Sequence, residues 1–420
     1  MSTSRALLVL GMLVSFGCET KPTPSSSSTS SSGSSGEGGT AGQGGAGGTS
    51  GTGGTAGMGG HGAGSCGDGL LMTLVDPAAT PELTIVNEPG SPMGIFDPSM
   101  VYPSGAPGGA MSYSSVTAKD AIRTRIAVSQ NAGATWTWVA DANQVEPTTL
   151  SSTDMNVCPG GTCSGNLINE VSSLIIDPDE PDASRRWKLF THRYLVTTAQ
   201  SLERRYGYIA LYTAPKPDGP WIGPENAIGW DSETPLSSMG AGTNVTQIPA
   251  LADCLAMSEP GALWVPGVGI DLALGCVYFK NGISIRIERL RSTDHGKTFK
   301  HLAKLLDADD AACLGISASR INAAELFFTG GKEYLIATPE TESEGYRGCY
   351  VFPIDDPISG LVSRDAQGKP VVVRKIDNPD KRFSGACSYA EGAPGYLVPI
   401  AFLNEPPKLF RTFRTNIMAP

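Results

Sequence analysis

Three acidic residues, Asp97, Glu170 and Glu259, each stand at the head of an apolar run of the chain. Two carboxyl groups that face each other across a substrate can act as a general acid and a general base, when one stays protonated and the other ionised near neutral pH. Acidic residues before strands also open turns and cap exposed backbone N–H groups, which is the structural alternative for all three. These residues are therefore candidates for acid–base catalysis, provided that the fold brings them together.

The elements that must position these residues recur along the chain. Each copy has a polar head, an apolar strand, a Gly/Pro turn and a second apolar strand, and the heads are Asp97, Glu170, Glu259, Asn322 and approximately Ser388. Repeats of roughly sixty to ninety residues built from short strands are typical of β-propeller blades. The pattern predicts an all-β fold, a β-propeller with five blades, and six blades are the alternative. Because the innermost strands surround one axis, we expect the polar heads to converge there.

The first eighteen residues have the pattern of an export signal. Arg5 precedes an apolar run, residues 6–17, that is too short to span a bilayer. The run leads into Cys18 through Val-Ser-Phe-Gly, which resembles a bacterial lipobox although Phe16 departs from the usual small residue. We predict a lipoprotein signal peptide over residues 1–18, lipidation of Cys18 and a location in the cell envelope, in the outer membrane or extracellular. An ordinary secretory signal is the alternative.

The rest of the chain divides by composition. Residues 19–65 are almost entirely Ser, Thr and Gly and cannot bury a core, so we predict a disordered linker that spans roughly 40 Å. Residues 66–420 are long enough for one large domain. Strand-like runs separated by Gly, Pro, Asn and Asp dominate there, and helical periodicity is scarce.

The charge of the chain narrows the choice of partners. The formal net charge is −10 and the isoelectric point is about 5.0. No basic stripe occurs in the sequence, which argues against nucleic acid as a partner. We expect a monomer that touches a membrane only through its lipid.

Cysteine usage fits an exported protein. Nine cysteines are present, and setting Cys18 aside leaves eight, which suggests four disulfides. Eight cysteines allow 105 connectivities, and the pairs that we consider are Cys158–Cys163, Cys254–Cys276, Cys313–Cys349 and Cys66–Cys387. A metal site is the weaker alternative, because no Cys-x-x-Cys pair occurs and only four histidines are present. The acidic turns 177–182 and 307–310 could hold calcium, but neither has the spacing of a calcium loop, so we expect no cofactor.

Two further segments carry a family resemblance. Residues 129–136 and 292–299 resemble Asp boxes, the Ser-x-Asp-x-Gly-x-Thr-Trp turns of sialidase-like propellers, with Asn131 and Phe299 as departures. Residues 218–221, Asp-Gly-Pro-Trp, resemble a turn of five-bladed glycosidases. The resemblance implies turns between the outer strands of a blade, where Asp or Asn caps backbone N–H groups and Gly takes a positive φ. Such turns are structural and do not define an activity.

The chain is closest in pattern to the five-bladed arabinanase- and xylosidase-like glycosidases. That resemblance implies that Asp97, in Phe-Asp-Pro-Ser, is the general base and that Glu259, in Ser-Glu-Pro-Gly, is the general acid. Glu170 would be the middle acid that tunes the pair, although the family normally has Asp there. A sialidase-type exoglycosidase is the alternative, but sialidases have six blades, an arginine triad and a Tyr/Glu pair.

Several other residues are candidates for substrate binding. Phe96, Tyr113 and Trp264 lie near the blade heads and could stack on sugar rings, and Arg193 could bind a carboxylate. Core packing is the structural alternative for the aromatic residues, and blade-to-blade hydrogen bonding is the alternative for the arginine.

Together these patterns predict an exported, carbohydrate-active propeller that could hydrolyse glycosidic bonds. The enzyme hypothesis predicts that Asp97 and Glu259 line one axial pocket. The alternative is a non-catalytic surface propeller that binds glycan or protein, in which at least one of these carboxylates is held by backbone hydrogen bonds or points off the axis. A third alternative is a scaffold held at the cell surface with no small ligand, which a pocket filled by side chains such as Met100 or Trp264 would support.

Overall fold

The computed structural model describes residue 66 and residues 70–420, apart from residues 119, 152–157, 159, 199–201, 231–239, 281, 315–319 and 342–344; for residues 202–206 it describes the backbone alone. The predicted signal peptide, its Cys18 and the predicted linker lie outside the described residues. Within the described part, none of the helices has the length and apolar character needed to cross a membrane.

Strands dominate this part of the chain, as the sequence predicts. In chain order they are β1 (Leu71–Leu74), β2 (Ile85–Val86), β3 (Gly94–Val101), β4 (Gly109–Ala118), β5 (Ala121–Ser129), β6 (Trp136–Asp141), β7 (Glu146–Ser151), β8 (Thr162–Ile176), β9 (Trp187–Thr197), β10 (Leu202–Ala214), β11 (Ile222–Gly229), β12 (Thr243–Asn244), β13 (Ala256–Val265), β14 (Gly269–Phe279), β15 (Ile283–Ser292), β16 (Lys300–Leu306), β17 (Arg320–Thr329), β18 (Lys332–Thr341), β19 (Gly345–Tyr346), β20 (Cys349–Asp356), β21 (Leu361–Val362), β22 (Arg374–Asp377), β23 (Leu397–Ala401) and β24 (Phe410–Arg414). The described residues also contain one α-helix, α1 (Ala308–Cys313), and 3₁₀ turns at Ala183–Arg185, Val245–Gln247 and Pro249–Leu251.

Most strands belong to antiparallel units of four. Strands β3–β6 form the first unit, β8–β11 the second and β13–β16 the third. The fourth comprises β17, β18, β20 and β22. The fifth contains residues 384–389, which bridge to β23, followed by β24 and, at its outer edge, Glu82. The fold is a β-propeller, and we interpret the five units as blades one to five.

Small polar side chains join the inner strands near the axis. A backbone N–H of one blade donates to a serine hydroxyl of the blade before it. Three such bonds are described: from Met100 to Ser388 at 3.0 Å, from Leu174 to Ser99 at 3.1 Å and from Ala262 to Ser173 at 2.7 Å. They link blade five to one, one to two and two to three.

The same position is Gly261 in blade three and Glu325 in blade four. A Cβ atom on Gly261 would lie 2.3 Å from the carbonyl oxygen of Ala324, so only glycine fits where these two blades meet. Glu325 accepts hydrogen bonds from the hydroxyls of Ser99 at 3.0 Å and Ser388 at 3.3 Å. We call Ser99, Ser173, Gly261, Glu325 and Ser388 the axial ring.

Apolar side chains fill the spaces between the blades. One buried cluster lies at each contact between consecutive blades, including the contact between blades five and one. A sixth cluster, which contains Phe96, Tyr194 and Phe410, joins blades one, two and five. Because alternate residues of a strand point to opposite faces of its sheet, each blade can supply both of its neighbouring clusters.

The chain before blade one runs along the outer edges of three blades. β1 pairs in parallel with β22 of blade four, and β2 pairs in parallel with β6 of blade one. Between them, Leu83 donates its N–H to the carbonyl of Thr412 at 2.7 Å, and Arg414 donates to the carbonyl of Pro81 at 2.9 Å. The last blade thus takes its outer strand from this early segment, which closes the propeller.

Four disulfides join the eight cysteines of the described residues, two of them as predicted. The pairs Cys158–Cys163 and Cys254–Cys276 are confirmed. The predictions Cys313–Cys349 and Cys66–Cys387 are wrong, since the structure pairs Cys66 with Cys313 and Cys349 with Cys387, at Cα–Cα distances of 5.2 and 6.1 Å. The prediction paired Cys313 with a cysteine of its own blade. In the structure, the segment before blade one, which carries Cys66, passes the end of α1, where Cys313 lies. The inner segment of blade five likewise passes the start of β20.

The two segments that resemble Asp boxes form turns between outer strands, β5 to β6 and β15 to β16. Their hydrogen bonds match, because the first serine of each accepts from a glycine N–H at 2.8 Å and the Asn131 or Asp294 side chain accepts from a threonine N–H at 2.9 Å. The glycines, Gly133 and Gly296, have φ of 82° and 87°. These internal hydrogen bonds account for the turns structurally.

The buried acid of the axial ring makes stability depend on pH. Burial raises the pKa of Glu325 to about 8, against about 4.5 for the unfolded chain. The folded state therefore binds more protons between these values, and the free energy of unfolding falls as pH rises through this window. Glu325→Gln keeps the shape and cannot ionise. We expect the free energy of unfolding of Glu325→Gln, relative to that of wild type, to rise by about 3–4 kcal/mol as the pH increases from 5 to 8.

Urea unfolding of both proteins across this range measures the effect. The exposed Glu391→Gln serves as the control, and its curve should stay parallel to that of wild type. Parallel curves for wild type and Glu325→Gln would show instead that Glu325 has an ordinary acidity in the fold.

Candidate functional site

One residue in each inner strand has left-handed backbone geometry. These residues are Asp97, Val171, Glu259, Ala323 and Ala386, with φ of 49°, 46°, 52°, 50° and 52°. In the first four blades a shift of strand register lies at this residue. Such bulges turn a side chain away from the regular alternation, and a positive φ at a residue other than glycine costs on the order of 1–3 kcal/mol. We call these five residues the bulge positions.

Four bulge positions line one cavity at the axis. Asp97, Val171, Glu259 and Ala386 contribute to its wall, together with Tyr346. The remainder of the wall is largely apolar and includes Phe96, Phe383, Gly385, Pro399, Ile400, Ala401 and Phe410. The accessible volume is about 10 Å³, which is room for about one water molecule. Two carboxylates from different blades therefore face one narrow, mostly apolar space.

The carboxylate of Glu259 is held by donors from blade four. The Tyr346 hydroxyl lies 2.7 Å from Glu259 Oε1 and 2.8 Å from Oε2, and donates its hydrogen to this carboxylate. The backbone N–H of Ala323 donates to Glu259 Oε2 at 2.8 Å. Glu259 is 7% exposed, so these bonds act where water screens charge poorly.

Tyr346 is itself fixed by close packing. Its ring stacks on Phe383 with centroids 4.8 Å apart. A Cβ atom on Gly345 would lie 2.1 Å from the Phe383 ring, and one on Gly385 would lie 2.7 Å from the Tyr346 ring. Burial, followed by the nearby charge of Glu259, raises the pKa of Tyr346 well above its ordinary value. The phenol therefore keeps its proton at any working pH.

Asp97 is buried on the opposite blade and connects to blade two through a serine. The Ser114 hydroxyl donates to Asp97 Oδ2 at 3.4 Å and accepts the N–H of Val171 at 3.1 Å. The bulge positions of blades one and two are thereby coupled through Ser114. Asp97 also contributes, after burial, Glu259 and Glu340, to the raised pKa of Tyr346.

The enzyme hypothesis and the binding hypothesis make different predictions for the positions of Asp97 and Glu259. Asp97 and Glu259 line one cavity at the axis, as the enzyme hypothesis predicts. Glu259 also accepts a backbone N–H, which is the arrangement expected of a binding propeller. Neither Met100 nor Trp264 is among the residues of the cavity wall, so neither of these two side chains fills the cavity.

Glu170 stands one residue before the bulge position of blade two. The side chain in the cavity wall there is Val171, and the Glu170 carboxylate accepts a short hydrogen bond from the hydroxyl of Tyr194 on β9. A one-residue offset turns a strand side chain to the other face. The sequence aligned Glu170 with Asp97 and Glu259 by its place before an apolar run, and the structure aligns Val171 with them instead.

Of the four predicted substrate-binding residues, Phe96 belongs to the cavity wall. The other three lie elsewhere. Tyr113 is 1% exposed, in the cluster between blades five and one, and does not reach the cavity. Arg193 is buried in blade two, where it pairs with Glu146 and donates to the Tyr212 hydroxyl at 2.9 Å. Trp264, near the C-terminal end of β13, donates its indole N–H to the Asp179 carboxylate at 3.2 Å. Packing and local pairing account for all three.

The acidic turns considered for calcium are bonded to other side chains of the protein. In the first, Lys188 lies 2.9 Å from Glu180 and 3.8 Å from Asp177, and His295 lies 2.8 Å from Asp177. In the second, the acidic residues cap α1 and pair with Lys304, Lys280 and Arg364. Within the described part of the chain, the remaining cluster of ligand-type residues, at Asp253, contains the disulfide Cys254–Cys276, whose sulfurs are no longer thiolates.

The sequence did not identify Tyr346 or the Ala323 amide as parts of the site. Tyr346 belongs to a two-residue strand, β19, so no apolar run marks it. Asn322, a predicted blade head, lies one residue before the bulge position Ala323. The spacing of the heads could have located the bulge positions to within one residue, but it could not show which donors face Glu259.

No family model matches the chain, and no curated protein matches it. Similar solved structures include an arabinanase from Bacillus subtilis, at 12% identity and a TM-score of 0.46, covering 80% of this chain and 96% of that one. An α-L-arabinofuranosidase from Coprinopsis cinerea is 13% identical with a TM-score of 0.44, over 84% and 96% of the two chains. A family 117 glycoside hydrolase from Zobellia galactanivorans is 12% identical with a TM-score of 0.45, over 80% and 89%. Similarities at this level leave the activity of the chain open.

The bulge positions can be tested by a pair of neighbouring substitutions. Ala323→Gly removes the side chain at φ of 50° and keeps the N–H that binds Glu259. We expect its free energy of unfolding to lie between that of wild type and a value about 0.5 kcal/mol higher. Relief of the backbone strain in the folded state offsets the added freedom of the unfolded chain.

Ala324→Gly, in the same strand, is the matched control and should lower the free energy of unfolding by about 1 kcal/mol. Denaturant unfolding compares the two variants. Equal destabilisation by both would mean that the left-handed geometry at residue 323 carries no strain.

Proposed function

We propose that this protein is an exported, carbohydrate-active propeller that hydrolyses glycosidic bonds with Asp97 and Glu259. We further propose that the lipid on Cys18 anchors it in the cell envelope and that it works as a monomer. The arabinanase- and xylosidase-like pattern of its sequence motifs agrees with this choice of substrate class.

The observation that carries the proposal is the pairing of Asp97 with Glu259. They occupy the bulge positions of blades one and three, and both line the axial cavity. Glycoside hydrolysis needs two carboxyl groups flanking one bond, with one group to protonate the leaving oxygen and the other to assist the attack on the sugar. Two strained, buried carboxylates on rigid inner strands satisfy that requirement better than carboxylates on surface loops.

The size of the cavity and the two carboxylates in its wall support water as the nucleophile. The cavity has room for about one water molecule beside the two carboxylates. Enzymes in which water attacks directly hold their carboxyl groups roughly 6.5–9.5 Å apart, to leave space for it. The sugar would then bind at the cavity mouth, against the ring of Phe96 or Phe383, since aromatic faces suit the apolar faces of sugars.

Non-catalytic binding of glycan or protein is the second candidate function. The backbone N–H of Ala323 that engages Glu259 favours it, because a carboxylate can serve structure alone. A sialidase-type activity has less support, since no arginine is among the described residues of the cavity wall.

Hydrolysis of nitrophenyl glycosides and polysaccharides by the full-length protein tests the proposal. Asp97→Asn and Glu259→Gln should each lower kcat/KM by about 10²–10⁴, the usual contribution of a general acid or base. Glu391→Gln, an exposed carboxylate far along the chain, is the control and should keep wild-type activity. A wild-type protein that binds glycans without cleaving any of them would support the second candidate instead. Full activity in both site variants would exclude this pair.

The anchor is tested separately. Cys18→Ala removes the sulfur that would carry the lipid, so we expect the protein to leave the detergent phase and appear in the soluble fraction of the producing cells. A detergent-phase partition that Cys18→Ala does not change would argue against lipidation at this residue.

A further inference from the structure

A second cavity lies between blades five and one, and its wall includes Tyr102, Pro394 and Arg414. We call it the seam cavity. We infer that the seam cavity binds an acidic sugar, whose carboxylate pairs with Arg414 and whose ring lies against Tyr102 and Pro394. This binding does not depend on the proposed hydrolysis.

The seam cavity lies at the other end of the strands that build the axial cavity. β24 contributes Phe410, its first residue, to the axial cavity and Arg414, its last residue, to the seam cavity. β23 likewise contributes Ile400 to the axial cavity and Leu397 to the seam cavity. Four residues of a strand span roughly 13–14 Å. The two cavities are therefore separate, and among the described residues none belongs to both walls.

The seam cavity is large enough for a monosaccharide. Its volume is about 340 Å³, and sites for small molecules typically have roughly 300–1,000 Å³. Met100, Tyr102 and Pro394 give its wall apolar and aromatic surface, and the exposed Asn131 and Asn416 add neutral polar groups. A sugar ring has apolar faces and a rim of hydroxyl groups, so this composition of the wall suits it.

Arg414 gives the seam cavity its charge. It is the only charged residue among the described residues of the wall. Its Nη1 donates to the backbone carbonyls of Gly133, at 3.2 Å, and Ala134. These carbonyls orient the guanidinium group but leave its positive charge without a carboxylate partner in the described part of the chain. Because a planar guanidinium group matches the geometry of a carboxylate, the ligand favoured here carries one.

Two buried polar atoms of the wall lack a hydrogen-bond partner among the described residues. They are the hydroxyl oxygen of Tyr102 and Nε of Arg414. Burial raises the pKa of Tyr102 to about 12, so its hydroxyl keeps the hydrogen that it can donate. Buried polar groups are normally paired, and an unpaired one costs free energy. The carboxylate and the hydroxyl groups of a bound sugar would supply partners for both atoms.

The two turns that resemble Asp boxes differ in what lies beneath them. Under the second turn, a Cβ atom on Gly296 would lie 3.2 Å from the Phe190 ring and 3.5 Å from the Leu211 side chain, so the neighbouring blade fills the space with apolar groups. Gly133 of the first turn lines the seam cavity instead, and the neighbouring blade presents Arg414 there. The same turn is thus packed in one blade and open in another. The fold therefore does not require this cavity.

Titration calorimetry of the full-length protein with sodium glucuronate tests the inference. We expect saturable binding, and we expect glucose, which lacks the carboxylate, and acetate, which lacks the ring, to bind about tenfold more weakly or less. Arg414→Gln should weaken glucuronate binding by about 10- to 100-fold, because a charge-assisted hydrogen bond is lost. Arg411→Gln is the matched control and should bind as wild type does. Arg411 belongs to the same strand, pairs with Glu405 and lies outside the wall.

Ala134→Trp provides a second variant, which keeps the charge of Arg414. Ala134 is an exposed residue of the wall, and the second turn carries the exposed Lys297 at the same place, so the turn accepts a long side chain. The indole should occupy the seam cavity and lower the affinity for glucuronate by about tenfold or more. Lys297→Trp, the same change in the second turn, should leave the affinity unchanged.

Three results would overturn the inference. They are a wild type that does not bind glucuronate, equal affinity of wild type and Arg414→Gln for glucuronate, and acetate binding as tight as that of glucuronate. Because binding is measured and not cleavage, a wild type that hydrolyses no glycoside leaves these expectations in place. A failure of the proposed function is thereby distinguished from a failure of this site.

Discussion

The close approach of the inner strands at the axis is the constraint on which the rest of the structure depends. Where blades three and four meet, the backbone leaves no space for a Cβ atom at Gly261. At the equivalent positions, small hydroxyl groups accept the N–H of the next blade, and a single acid, Glu325, spans from blade four to Ser99 and Ser388. Because these bonds are short and buried, the five strands cannot rotate independently. Any side chain that the strands present at the axis is therefore held with little freedom.

The bulge positions follow from this crowding and create the site. A regular strand would point alternate side chains into the two neighbouring clusters, and nothing would face along the axis. The register shift in the inner strand of each of the first four blades turns one residue out of that alternation. In blades one and three this residue is an acid, and in blade two it is Val171. The strain of the left-handed backbone is shared by all five blades, whereas the chemistry differs from blade to blade.

The sequence predicted the architecture better than the site. Blade heads, Gly/Pro turns and the two box-like turns are local signals, so the propeller and the placement of Asp97 and Glu259 could be read from short segments. Contacts between segments far apart in the chain could not. Cys66 meets Cys313, and Tyr346 meets Glu259, only because the blades close into a ring. The error at Glu170 has a different origin, since a one-residue offset leaves composition unchanged but reverses the face of the strand.

Glu259 and Glu325 show how surroundings set the behaviour of two acids in neighbouring blades. Glu325 is buried with hydroxyl groups as its described partners, and its pKa rises to about 8. Glu259 has a backbone amide and a phenol that cannot lose its proton, and both donors favour charge. The two buried glutamates thus differ in the donors that surround them, hydroxyl groups at Glu325 and a backbone amide with a phenol at Glu259. The difference comes from which donors the adjoining blade supplies, and for Glu259 those donors are Ala323 and Tyr346 of blade four.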